Sequence, residues 1–100
     1  MDILSRQLQD FLIHLGKEPT CVSEKVEHYI KHILHLLSVQ GEEIFNQYYG
    51  LFGTKIHPLD NIACKHGVSS DAMMQNIEAD LRKLAITPEW QIVKQLLDIL

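Results

Sequence analysis

The sequence predicts an all-α fold of about six helices, with a helix-turn-helix in its C-terminal half. Two observations carry this prediction directly. Apolar residues recur every three or four positions along most of the chain, and the periodic stretches are punctuated by helix start and stop residues. A third is negative: the runs of alternating apolar and polar residues expected of strands are absent.

Leu4, Leu8, Phe11, Leu12 and Leu15 define the first helix, near 2–15, with Gly16 as its stop. A loop containing Pro19 follows. Ser23 then caps a helix over 24–39 whose apolar face is Val26, Ile30, Ile33 and Leu37, ended by Gly41. Glu42 and Glu43 open a shorter helix, 42–49, with Ile44, Phe45, Tyr48 and Tyr49, closed by Gly50 and Gly53. Pro58 starts a helix over 58–66, where its missing N–H is harmless. A longer helix spans 70–84. Thr87, Pro88 and Glu89 read as the cap and first two residues of a last helix, 88–99, carrying Trp90, Val93, Leu96, Leu97 and Leu100.

The stretch 50–85 has the pattern of a helix-turn-helix. Leu59, Ile62 and Ala63 are the apolar residues of its first helix, and the small Ala63 lets a second helix approach closely. Gly67 supplies the positive φ that a tight turn needs. Ser69 caps the second helix, and Asp71 lies in its first turn, where the helix dipole favours a negative charge. Met73 reads as the core residue of that helix. Met74, one position on, is expected to point elsewhere and to offer a soft apolar surface to a protein partner. A second helix so placed normally enters the DNA major groove.

Composition limits what such a unit can do. One hundred residues at 46% hydrophobic make one domain with a modest core. The apolar runs are too short for a membrane span, and the first residues lack a signal-peptide pattern. Cys21 and Cys64, far apart and without a partner motif, read as reduced and buried in a cytoplasmic protein. Nine Lys and Arg stand against thirteen Asp and Glu, a net charge of −4, with no basic run. Phosphate contacts supply much of the affinity of a DNA-binding domain, so this balance argues against tight autonomous DNA binding.

The segment from Gln40 onward resembles region 4 of bacterial primary sigma factors. The matching positions are Glu43, Ile44, Tyr49, Gly50, Leu51, Gly53, Leu59, Ile62, Gly67, Val68, Ser69, Gln75, Leu81, Arg82, Lys83 and Leu84, without a gap. The tail from Pro88 to Asp98 is similar as well. The resemblance covers residues 40–100 and leaves 1–39 outside, as an N-terminal helical arm with a dimerisation or partner surface. A weaker resemblance, to the effector domain of the sporulation master response regulator, rests on Ile62, Ala63, Lys65, Ile77 and Leu81.

The sigma resemblance implies a DNA- or partner-facing surface at Ser69, Ser70, Asp71, Ala72, Met74, Gln75, Glu78, Arg82 and Lys83. In the family the second helix opens with arginines and a glutamate that contact promoter bases and phosphates. Here all three arginine positions are lost, and only Asp71 and Gln75 keep chemistry able to read a base. The family also docks on the flap of the RNA polymerase β subunit, a role that does not need those arginines.

His28, His32 and His35 share one helical face, opposite Val26, Ile30 and Ile33; they read as a solvated face rather than a metal site. Phosphate loops, zincin motifs and nucleophile elbows are absent, so the chain is read as no enzyme and as needing no cofactor. The leading expectation is a small cytoplasmic bacterial transcription regulator acting on promoter DNA, on RNA polymerase or another transcription protein, or on both, with DNA bound weakly by the chain alone. The alternative is a protein-interaction module whose degenerate helix-turn-helix binds a protein instead of DNA. A homodimer through residues 1–39 is the third reading.

Overall fold

The computed structural model describes residues 1–97, and within them the chain forms six α-helices and no strand. The last positions expected in the final helix, and Leu100 of its apolar face, lie outside the described residues, as does the side chain of Cys21.

Helix α1 (Ile3–Lys17) is capped by Asp2, whose Oδ1 accepts the Ser5 N–H at 2.7 Å. Its stripe of Leu8, Phe11, Leu12 and Leu15 is buried, as the periodicity requires. Gly16, expected to stop the helix, lies inside it. The helix ends one residue later because Glu18 precedes Pro19, and a residue before proline is disfavoured in helical backbone.

Helix α2 (Glu24–Leu34) starts at Ser23, whose Oγ accepts the Val26 N–H. The expectation of one helix over 24–39 is corrected. The chain leaves α2 after Leu34 through a tight turn, in which Leu36 and Leu37 N–H groups bond to Ile33 and Leu34 carbonyls. Helix α3 (Val39–Tyr49) then begins three residues earlier than expected, because Ser38 Oγ takes the Gly41 N–H at 3.0 Å. Gly41 is therefore in the first turn of a helix rather than at the end of one. A Cβ there would come within 3.2 Å of Asp80 Oδ2, so the missing side chain serves close packing.

Gly50 ends α3 at φ +68°. The following loop folds back on that helix, with the His57 N–H bonded to the Gln47 carbonyl at 2.8 Å. Lys31 of α2 sits over the Phe52 ring, 5.1 Å from its centre. Pro58 is the cap residue of α4 (Leu59–Lys65), one position outside the helix. Helix α5 (Ser70–Ala85) follows, then α6 (Pro88–Leu97). Thr87 behaves as expected: its Oγ1 donates to the Leu84 carbonyl and accepts the Trp90 N–H.

One contiguous core joins these elements. α1 packs on α5 and α2 on α6, and the core takes in Leu8, Phe11, Leu12, Leu15, Val26, Ile30 and Ile33, while Leu4, at the start of the α1 stripe, stays 37% exposed. Phe45, Leu51, Leu81, Leu84, Trp90 and Val93 are fully buried, each apolar side chain contributing about 1.5–3 kcal/mol. The Phe11 and Trp90 rings meet at 5.6 Å.

Candidate protein or nucleic-acid interface

Ile62 and Ala63, at 1% exposure, share an apolar cluster with Met73 and Ile77, and this sets α4 against α5. The turn between them has Gly67 at φ +70° and closes through the Val68 N–H on the Ala63 carbonyl, 3.1 Å. Ser69 Oγ accepts the Ala72 N–H, satisfying one of the free donors at the start of α5. Next to it the Ser70 hydroxyl donates to the Asp60 carboxylate, tying the first turn of α5 to α4.

Asp71, Gln75, Glu78 and Arg82 are spaced i, i+4, i+7 and i+11, so they form one outward stripe of α5, and all four are exposed. Ser69 and Lys83 are exposed; Ser70 and Ala72 are half-buried. Met73 lies in the core at 1% exposure, as expected. Met74 is half-buried rather than fully on the surface.

The electrostatics of the stripe are negative. Residues 70–81 hold Asp71, Glu78 and Asp80 and no lysine or arginine. Burial raises the Asp80 carboxyl above its ordinary pKa, partly offset by the Lys83 charge. Arg82 is engaged from another element: its Nε lies 3.7 Å from Asp2 Oδ2. The Ser5 backbone N–H, then its hydroxyl, and also the Arg82 charge hold the Asp2 carboxyl below the usual range. A shallow cavity of about 360 Å³ separates the start of α1 from α5, lined by Asp2, Ser5, Gln75, Glu78 and Arg82 among others. The approach of Asp2 to this stripe was invisible in the sequence. Nothing in linear spacing brings Asp2 to a residue eighty positions on.

His28, His32 and His35 are all exposed, and His35 Nδ1 is 3.1 Å from Glu42 Oε2 across the α2–α3 turn. Among the described residues no three His, Cys, Asp or Glu side chains are grouped to hold a metal ion. Cys64, expected in the core, is exposed on α4. Comparison of the chain with known protein families, with curated proteins and with solved structures found no match.

Proposed function

We propose that this chain is a protein-interaction module that works through its α4–α5 face and does not read DNA by itself. One observation carries the reading: the first three turns of α5 present carboxylates and no cation, and Arg82 beyond them is drawn toward Asp2. A major-groove helix must approach two rows of phosphates. Without lysine or arginine it releases few counterions and gains little affinity. A protein partner imposes no such demand, and an acidic stripe bordered by the half-buried Met74 suits a basic one.

A second reading, a transcription regulator of the sigma-region-4 type, is favoured by the glycine turn. Gly67 at positive φ, the small Ala63 behind it and the Ser69 cap are the features a helix-turn-helix requires. In that reading the module reaches promoters by way of RNA polymerase.

A titration and a co-elution separate these readings. Duplex DNA added at rising salt is expected to bind weakly, and a sequence-specific footprint by the unmodified chain would overturn the proposal. Purified bacterial RNA polymerase, mixed with the chain and resolved by gel filtration, tests the second reading: co-elution lost on Glu78→Lys supports it.

A further inference from the structure

We propose a second site, distinct from the α5 face: a ligand cleft between α1, the end of α3 and the loop before α4, built for a neutral, flat heteroaromatic molecule that carries an N–H donor beside a carbonyl. The cleft measures about 320 Å³, the lower range of small-molecule sites. Ile13, Ile56, Pro58 and Leu59 form its apolar part, and Tyr48, Tyr49, Gln9 and His57 complete the lining. No carboxylate, ammonium or guanidinium group is among its lining residues, so a charged ligand would be desolvated there without a counter-charge. Ile13 and Ile56 are 38% and 56% exposed, leaving apolar surface that a flat ring can cover.

The hydrogen-bonding groups are fixed before any ligand arrives. His57 Nδ1 lies 2.7 Å from the Lys55 carbonyl, which can only accept. Nδ1 therefore carries the proton of the neutral ring, and Nε2 holds the lone pair. Tyr49 donates its hydroxyl to Gln9 Oε1 at 3.0 Å, which leaves the Gln9 amide N–H groups as donors. The His57 acceptor and the Gln9 donors, both among the lining residues, are the two kinds of group that the N–H and carbonyl of a lactam can pair with.

The shallow cleft is preformed as well. The His57 N–H bond to the Gln47 carbonyl holds the loop on α3. Gly50 at φ +68° admits the Ile56 side chain where a Cβ would overlap it. Binding here needs little ordering, which favours affinity for a small molecule.

The test uses 2-quinolinone, its N-methyl derivative and quinoline-2-carboxylate as probes against the isotope-labelled full chain, followed by NMR. Quinolinone is expected to saturate at about 1 mM or below, with shifts confined to residues 9, 13, 48 and 55–59. The N-methyl compound should bind about tenfold more weakly or worse, since it leaves the His57 acceptor unpaired. The carboxylate should not bind. His57→Phe should cost quinolinone about tenfold and the N-methyl compound nothing, and Ile56→Asp should remove both. Equal affinity for the first two probes overturns the proposal, a comparison that needs no variant to fold. So do shifts scattered over the surface, or binding of a tryptophan-containing peptide with none of quinolinone.

Discussion

Gly16 and Tyr49 meet backbone to backbone: a Cβ built on Gly16 would overlap the carbonyl oxygen of Tyr49. The close approach lets α1 cross the end of α3 with no side chain between them. It also brings the Tyr49 hydroxyl to Gln9, seven residues back along α1. Gly16→Ala should therefore force the two helices apart and destabilise the protein by about 1–3 kcal/mol, the usual range for overpacking. Urea unfolding followed by circular dichroism measures this, and a wild-type midpoint would remove the steric argument.

Gly67 differs in kind. A Cβ there meets nothing within 4 Å, and the strain lies in the backbone alone, at φ +70°. Gly67→Ala should cost about 1–2 kcal/mol, the penalty for a left-handed L-residue. Gly67→Asn should cost less, because asparagine tolerates that region, and Gly67→Val more, because a β-branched residue does not. The order Asn, Ala, Val in thermal midpoints is the expected readout; equal effects would point to packing instead.

Tyr49 makes stability sensitive to alkali. Burial, with smaller contributions from Tyr48 and Glu78, pushes its hydroxyl well above the ordinary phenol pKa of 10.0. A raised folded-state pKa means that the folded chain holds this proton more tightly than the unfolded one. The stabilisation is complete below about pH 10 and is lost as pH rises through the folded-state value. Urea midpoints from pH 8 to pH 11 should fall at the upper end for the wild type. In Tyr49→Phe the fall should be shallower, from a lower starting stability because the bond to Gln9 is gone.

The helices themselves were legible because their apolar stripes coincide with the buried positions. Leu8, Phe11, Leu12 and Leu15 illustrate this in α1, and Val26, Ile30 and Ile33 in α2. The caps at Ser23, Ser69 and Thr87 were legible for the same local reason. What failed were two of the glycines. Gly16 and Gly41 look like stops in one dimension, yet both sit inside helices where another helix passes close, a fact set by tertiary packing. The break after Leu34 was hidden because buried Leu37 keeps the helical spacing through the turn. Ser38, three residues before Gly41, was the available signal. Of the outward positions that the sigma resemblance implied on α5, Asp71, Gln75, Glu78 and Arg82 are exposed and Ala72 and Met74 are half-buried, whereas the acidic neighbour Asp2 and the cleft at His57 depend on long-range packing.

The charge of the α5 stripe gives the last prediction. Ala72 and Met74 occupy positions where the sigma resemblance implies arginine, and both are half-buried beside the exposed Asp71 and Gln75. A long arginine stem can cover the adjoining apolar surface while its guanidinium reaches solvent, so Ala72→Arg and Met74→Arg are tolerable on α5. Each should raise nonspecific affinity for duplex DNA, and each additional phosphate neutralised should steepen the logarithmic salt dependence by about 0.9. Asp2→Asn should add to this without touching α5, because it frees Arg82 from the carboxylate 3.7 Å away. Fluorescence anisotropy with labelled duplex between about 0.05 and 0.2 M salt reads both quantities. An unchanged slope in the double arginine variant would mean that this side of α5 does not face a duplex at all. An increase in slope matching the arginines added would mean that the geometry for DNA is intact and that only the cations are missing.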